Sequence, residues 1–320
     1  MSPRCNCTKK SLVLSEVRKP DVKIGRFYRA SDDVWVQRFR CQFCFKTYSE
    51  ATSSDCFGQK KRYLNHPIFV WLASGMSQRR LALNLRINCK TVVRKFRLMG
   101  ARATELLPIM NAFYPPAKTV EFDDLESFTH TKCKPNSTIL MVEFKTRRIL
   151  GFRVAQMAAK GRLTHIAKLR YGKRIDKRRP ARHELFLEMK PLIIPKALIK
   201  SDENPHYPKD VANFFKEAQH KTTKGRRGCV VGQGELKRGG FDPIFSLNHT
   251  CAMFRANINR LIRKTWCTTK IEKYLGYHIA LYAIYHNEVW LKRKKGKKPR
   301  VVFEPEQLKE LEQFQNILIG

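Results

Sequence analysis

The spacing of apolar residues indicates a group of helices between residues 60 and 112. In "NHPIFVWLASGMSQRRLALNLRINCKTVVRKFRLMG", apolar side chains recur at helical intervals in three short runs, which Gly75 and Asn88 separate. Ser77 and Asn88 are of the residue types that cap the beginnings of helices. The pattern predicts a three-helix helix-turn-helix domain over residues 60–112, with its last helix at about residues 89 to 99.

The pattern changes to one of strands from residue 118. "KTVEFDDLESF" alternates apolar and polar residues, and "STILMVEFKTRRILGFRVA" is typical of two strands joined at residues 145–147. "PLIIPKALIKSDENPHYP" indicates a buried strand that runs into Asp202. Helical patterns follow in "KDVANFFKEAQ" and in "NHTCAMFRANINRLIRKTW", which we expect to be one long helix. These elements predict an α/β domain over residues 118–290, and the adjacent prolines of "YPPAK" mark the linker before it.

The charge of the chain favours a polyanionic partner. The 320 residues include 64 Lys and Arg against 27 Asp and Glu, a formal net charge of +37. A surface of this kind attracts nucleic acid over long distances. An anionic membrane is the rival partner, but the sequence has neither a run of about 18 apolar residues nor a signal peptide, so we expect no membrane association and a cytoplasmic location.

The close pairs of cysteines indicate a metal site near the amino terminus. "RCNC" contains Cys5 and Cys7, and "RCQFC" contains Cys41 and Cys44. Two such pairs brought together by a hairpin can bind Zn²⁺ tetrahedrally, and the metal would stabilise a segment too short for a large core. We therefore predict a zinc ribbon over residues 1–58, with unligated core cysteines as the alternative.

An acidic cluster lies in the first predicted strand of the α/β domain. "VEFDDLESF" places Glu121, Asp123, Asp124 and Glu126 within six residues, although like charges at this spacing repel each other. A strand with an Asp in it, a hairpin, and a later strand that ends in Asp202 fit the order of a ribonuclease-H-like fold. Carboxylates from adjacent strands can hold Mg²⁺ or Mn²⁺ for phosphodiester chemistry. Strand alternation directs Asp124 to the face opposite Asp123, which favours a supporting role.

The paired cysteines and the helix-turn-helix pattern are accompanied by three further stretches: "FDDLESFTHTKCKP", "LIKSDENPHYP" and "FSLNHTCAMFRANINRLIRKTWCTTK". Together they cover nearly the whole chain and resemble a bacterial insertion-sequence transposase, similar to the "insertion sequence one" type and its longer relatives. The resemblance implies an enzyme that cuts DNA at the element's ends and joins the freed 3′ hydroxyls to target DNA, using an Asp-Asp-Glu triad and divalent metal. Carried over by position, the first two catalytic residues are Asp123 and Asp202.

The third catalytic position departs from that family pattern. Counting back from "RLIRKTW", Asn248 stands where the resemblance implies a Glu. An Asn carbonyl can bind Mg²⁺ but brings no charge, so metal affinity would depend more on the two Asp residues. Two alternatives are that Glu235, in "GQGELKRGG", reaches the site from a loop, and that this copy is inactive.

Three basic regions are candidate contacts to DNA phosphates. The first is the last helix of the helix-turn-helix domain, which would enter the major groove. The second is an insertion at residues 160–182 with ten Lys or Arg and one acid, and the third is the last long helical pattern. A basic tail and an amphipathic helix follow at residues 291–320. The candidate residues are Lys90, Thr91, Arg94, Lys95, Arg97, Lys173, Arg174, Arg178, Arg179, Arg255, Arg260, Arg263 and Lys264.

The sequence and the resemblance together lead us to expect a DNA transposase. Its partners would be double-stranded DNA, both the terminal inverted repeats and the target, and further copies of the chain in a homodimer or higher oligomer. Such an enzyme would act at the bacterial nucleoid. One alternative is a catalytically inactive, transposase-derived DNA-binding protein or regulator, and another is a structure-specific nuclease on the same fold.

Overall fold

The computed structural model describes residues 21–54, 56–224, 242–262 and 266–290, together with residues 309, 313, 317 and 318. The chain forms two compact units, of which the first comprises residues 1–67 and 312–320 and the second residues 68–311. Most of the predicted tail and helix at residues 291–320 lies outside the described residues.

The first unit contains a three-stranded antiparallel sheet in the order β1-β2-β3. Its strands are β1 (Asp21–Arg29), β2 (Val34–Cys41) and β3 (Thr47–Ser49). β1 is exposed along most of its length, whereas Val36, Gln37, Phe39 and Cys41 of β2 are buried. The buried thiol of Cys56 accepts a hydrogen bond from Asn65 Nδ2 at 3.3 Å, which joins the segment after the sheet to the end of the unit.

Three helices occupy the region predicted as a helix-turn-helix domain: α1 (Asn65–Ala73), α2 (Gln78–Asn84) and α3 (Cys89–Ala112). Both predicted caps are confirmed, because Ser77 Oγ accepts from the Arg80 amide and Asn88 Oδ1 accepts from the Lys90 amide. α3 is longer than the predicted ten or so residues. It continues to Ala112 and packs against α8 (Glu272–Tyr285) of the same unit.

A five-stranded sheet forms the centre of the second unit, in the order β6-β5-β4-β7-β8. β4, β5 and β6 are antiparallel neighbours, whereas β7 is parallel to β4 and β8 is parallel to β7. The predicted hairpin at residues 145–147 is confirmed between β5 and β6. The strands are β4 (Ala117–Phe128), β5 (Pro135–Glu143), β6 (Ile149–Gln156), β7 (Ile193–Asp202) and β8 (Gln219–Thr223).

Helices cover both faces of this sheet. On one face lie α5 (Arg178–Met189) and α6 (Tyr207–Phe214), whose Phe186 and Tyr207 pack against Phe122 of β4. α7 (Phe245–Asn257) contacts β4 and β5, and α3 and α8 contact β6. α4 (Leu163–Tyr171) lies in the basic insertion after β6. The described residues thus form a mixed α/β structure with two sheets and eight helices, and none of these helices is long and apolar enough to cross a membrane.

The prediction of one long helix near residues 248–266 is wrong, because the observed helix ends earlier. α7 ends at Asn257, whose side-chain amide donates to the Met253 carbonyl at 3.0 Å. Ile258 then takes an extended conformation with its side chain fully buried, and a 3₁₀ turn follows at Asn259–Leu261. Ile258 is therefore buried outside the helix, and the basic residues that follow it do not continue that helix.

Candidate active site

Asp123 and Asp202 lie on neighbouring parallel strands. Glu121 of β4 is the register partner of Lys200 of β7, so Asp123 and Asp202 each stand two residues beyond that pair. Neighbouring strands are about 5 Å apart, which places both carboxylates at the same edge of the sheet. Burial raises the pKa of Asp123 to about 7, and the charge of Asp202 contributes to the rise. Burial also raises the pKa of Asp202.

Local hydrogen bonds fix the orientation of the Asp123 carboxylate. Its Oδ1 accepts from the Asp124 amide at 2.6 Å and from the Tyr207 hydroxyl at 3.2 Å. The Tyr207 ring is itself buried against Phe122, and burial raises the pKa of its hydroxyl far above the usual range, so the phenol stays protonated and donates. Tyr207 of α6 therefore positions Asp123.

Asp124 points toward α5. Its Oδ2 is 3.9 Å from Arg178 Nη1, while its Oδ1 is buried and has no hydrogen-bond partner among the described residues. Burial raises the pKa of Asp124, and the charges of Arg182 and Arg178 oppose the rise. A buried carboxylate oxygen without a donor is costly, so this edge of the sheet carries negative charge that the protein only partly balances.

A buried ion-pair network holds α5 against α6 behind these carboxylates. The fully buried Asp210 of α6 accepts from Arg179, from His183 and from the buried Arg182. Although burial opposes ionisation, these hydrogen bonds lower the pKa of Asp210. The Arg182 guanidinium also stacks over the Tyr207 ring at 4.7 Å, so the network sets the position of the residue that orients Asp123.

Glu121 joins the acidic strand to the beginning of α7. Its side chain is fully buried, and Oε2 accepts from the Leu247 amide in the first turn of α7 at 2.9 Å. Lys200 Nζ is 3.8 Å from the other carboxylate oxygen. Burial raises the pKa of Glu121, while the amides of α7 and Lys200 oppose the rise. A carboxylate at the beginning of a helix is favourable because unpaired amides and the helix dipole converge there.

Cys251 of α7 interacts electrostatically with Asp123. Burial raises the pKa of its thiol to about 12, with a further contribution from the Asp123 charge. Asn248, three residues earlier on α7, is exposed and donates from Nδ2 to Asp242 Oδ2 at 2.7 Å. Residues three apart are neighbours on a helix surface, so Asn248 and Cys251 share one side of α7. Glu235 lies outside the described residues.

The oxygen atoms at this edge suit a hard divalent cation. Mg²⁺ binds one or two carboxylates and retains water, and Asp123, Asp202 and the unpaired Asp124 Oδ1 offer such donors. Among the residues that the structure describes, no group of three or more His, Cys, Asp or Glu side chains is arranged to hold a metal ion.

Half of the predicted zinc ligand set lies in the described part of the first unit. Cys41 and Cys44 stand on one tight turn, in which the Phe45 amide donates to the Cys41 carbonyl and the Cys41 amide donates to the Lys46 carbonyl. Phe45 has a positive φ of 58° that this turn requires. A turn of this kind suits a pair of thiolate ligands. Cys5 and Cys7 lie outside the described residues.

The candidate DNA contacts on α3 separate into exposed and buried positions. Lys90, Arg94 and Arg97 are exposed and follow one another at helical spacing, and Thr91 is half-buried. Lys95 is only 5% exposed, so its prediction as a surface contact is wrong. It shares the face of α3 that packs inward, and its side chain is buried with that face.

Several basic residues of the insertion form ion pairs within the second unit. Lys173 is exposed. The three arginines of the insertion that were predicted to contact DNA each form an ion pair with a carboxylate. The closest contacts are Arg174–Glu272 at 3.6 Å, Arg178–Asp176 at 2.6 Å and Arg179–Asp210 at 3.1 Å.

The last group of predicted contacts does not lie on one helix. Arg255 is exposed on α7, but Arg260 lies in the 3₁₀ turn beyond it. The Arg260 guanidinium stacks over the Phe96 ring at 5.3 Å and donates to Thr269 Oγ1 at 3.3 Å, so it joins the turn to α3. Arg263 and Lys264 lie outside the described residues.

No protein-family model matches the sequence, and no curated protein matches it.

Proposed function

We propose that this chain is a DNA transposase whose catalytic centre lies at the edge of the five-stranded sheet. The observation that carries the proposal is the pairing of Asp123 and Asp202 on adjacent parallel strands, with a carboxyl pKa of about 7 at Asp123. Two half-buried carboxylates that repel each other would bind a divalent cation in preference to remaining ionised side by side.

The topology supports a ribonuclease-H-like core. Three antiparallel strands lead into two parallel ones, the first strand lies at the centre of the sheet, and helices cover both faces. The first carboxylate stands on the central strand and the second at the end of the strand beside it. In such a core the carboxyl-terminal edge of parallel strands is the usual place for a ligand.

The proposed chemistry is phosphodiester cleavage followed by strand transfer. Mg²⁺ or Mn²⁺ bound at this edge would activate an attacking oxygen and stabilise the leaving oxygen. Asp123 and Asp202 would hold the cation, and Tyr207 fixes Asp123 through its hydroxyl. Asn248 is the proposed third ligand, since its carbonyl can serve Mg²⁺ without adding charge.

DNA binding is proposed for the helix-turn-helix region and the first unit. Lys90, Arg94 and Arg97 form an exposed basic stripe on α3 that suits a DNA backbone or groove. We further propose that Zn²⁺ stabilises the first unit through Cys5, Cys7, Cys41 and Cys44. The enzyme would act on element ends and target DNA at the bacterial nucleoid, as a homodimer or higher oligomer.

Strand cleavage on DNA that carries the inverted repeats flanking the gene would test the proposal. Wild-type protein should nick or cut at the repeat ends with Mg²⁺ or Mn²⁺ and join the freed 3′ hydroxyls to a second DNA. Asp202→Asn should lose cleavage by at least about a thousandfold while binding the same ends, because the cation loses a charged ligand. Glu217→Gln, an exposed acid away from the site, serves as the control.

One observation favours a second candidate, a transposase-derived DNA-binding protein without catalytic activity. Cys251 of α7, whose thiol interacts electrostatically with Asp123, carries no charge, and neither does Asn248 at the third catalytic position that the resemblance implies. If wild type and Asp202→Asn bound the ends and were equally inert, this second function would replace the first. Cleavage without joining would instead indicate a nuclease.

A further inference from the structure

An exposed aromatic pair stands on the hairpin of the first unit. Tyr28 of β1 and Trp35 of β2 are direct register partners, and their ring centroids are 5.5 Å apart with an interplanar angle of 52°. Tyr28 is 50% exposed and Trp35 is 66% exposed. Large aromatic faces open to solvent are unfavourable unless a partner covers them, so this pair has the character of a binding surface.

Contacts within the hairpin hold the pair in place. The Tyr28 hydroxyl donates to Asp33 Oδ1 at 2.5 Å, which fixes the ring over the turn. The next register pair on the same face is Arg26 with Gln37, and Arg26 Nε donates to Gln37 Oε1 at 3.1 Å. Gln37 in turn donates to the Gly25 carbonyl at 2.7 Å. An exposed guanidinium is thus held beside two aromatic rings.

The charge of the hairpin selects the kind of partner. The hairpin over residues 21–41 carries five cationic side chains against three acids, Asp21, Asp32 and Asp33, of which Asp32 pairs with Arg29 at 2.7 Å, so its net charge is still positive. Two copies of such a surface would repel each other, whereas a polyanion would be attracted. The cationic side chains are Lys23, Arg26, Arg29, Arg38 and Arg40.

We propose that Tyr28, Trp35 and Arg26 form a stacking platform for unpaired nucleic-acid bases. A protein ring can stack only on a base whose own face is open, and in a duplex neighbouring bases cover those faces. Aromatic side chains beside a basic strand are how proteins bind single strands without reading their sequence. All three residues lie in the first unit, so the proposed platform does not depend on catalysis at Asp123 and Asp202.

Binding of a labelled thymidine oligomer of about 15 nucleotides, compared with a duplex of equal length, tests the platform. The double variant Tyr28→Ala/Trp35→Ala should lose about tenfold to a hundredfold in affinity for the single strand. Its duplex affinity should change by less than about threefold, and its salt dependence should stay unchanged because no cation is removed. Trp35→Phe should keep most of the affinity.

Arg26→Ala should weaken single-strand binding and reduce the slope of log affinity against log salt by about 0.7, the value for one lost phosphate contact. Tyr63→Ala, an equally exposed aromatic of the same unit outside the sheet, is the matched control and should bind as wild type. Circular dichroism and the urea midpoint of each variant establish that it is folded. A uridine oligomer of the same length distinguishes RNA from DNA as the source of the bases.

The proposal is overturned if the folded double variant binds the single strand as wild type does, or if it loses single-strand and duplex affinity equally. It is also overturned if sedimentation shows that the double variant changes from oligomer to monomer with nucleic-acid affinity unchanged, because the aromatic pair would then be a contact between copies.

Discussion

Replacing Asp123 with Asn should stabilise the metal-free protein at pH 8 more than at pH 5. The Asp123 carboxyl has a pKa of about 7 in the folded protein because it is buried beside Asp202, whereas its ordinary value is 3.8. The folded state therefore binds this proton more tightly than the unfolded state does. By linkage, the group makes folding less favourable as the pH rises from about 4 to 7, and the full cost is present above pH 7.

The size of the effect follows from that difference. A change from 3.8 to about 7 is roughly three pKa units, and each unit corresponds to about 1.4 kcal/mol, which gives a ceiling of about 4 kcal/mol above pH 7. Partial solvent access to the edge reduces the ceiling, so we expect Asp123→Asn to gain about 1–3 kcal/mol at pH 8. The Asn carbonyl can still accept from the Asp124 amide and the Tyr207 hydroxyl, so the local hydrogen bonds survive.

Urea unfolding of both proteins at pH 5 and pH 8, in metal-free buffer, measures this difference directly. The gap between Asp123→Asn and wild type should widen at pH 8, and added Mn²⁺ should stabilise wild type but not the variant. Glu217→Gln, an exposed acid, should show the same stability as wild type at both pH values. If Asp123→Asn were less stable than wild type by the same amount at both pH values, the reasoning about charge repulsion at this edge would be refuted.

Two further predictions concern packing. Glu121→Ala should destabilise the fold by about 1–3 kcal/mol in urea, because the Leu247 amide loses its buried acceptor, while Glu121→Gln should retain most of the stability. Gly100→Ala should cost about 1–3 kcal/mol, because a Cβ there would lie 2.5 Å from Tyr277 Cβ, whereas Gly276→Ala, with its nearest atom at 4.0 Å, should be neutral or stabilising in the same assay.

The first helices and the strands that carry Asp123 and Asp202 could be predicted because local chemistry determines them. Ser77 and Asn88 cap their helices as the sequence predicts, since a short polar side chain before an apolar run can reach the free amides of the next turn. Alternation likewise predicted the strand that carries Asp123, and an apolar stretch predicted the buried strand that ends at Asp202. These features depend on neighbours within a few residues along the chain.

Features that depend on distant parts of the chain could not be predicted in the same way. Burial of Lys95 depends on which side of α3 meets the second unit's interior, and the end of α7 depends on the burial of Ile258. Asp210 gave no local signal, although its pairing with Arg182 determines how α5 and α6 meet behind the site. Spacing along the chain does not contain this information, because the partners are 28 residues apart.

The acidic cluster of β4 can exist because strand alternation divides it between the two faces of the sheet. Glu121 is bound by the amides at the beginning of α7, Asp124 faces the arginines of α5, and Glu126 pairs with Lys160 at 2.5 Å. Three of the four charges thus have partners supplied by the chain. The charge of Asp123 meets that of Asp202 instead, and its donors are an amide and a phenol rather than a cation. Under the proposed function, a cation bound from solution at this edge would balance the charges of Asp123 and Asp202.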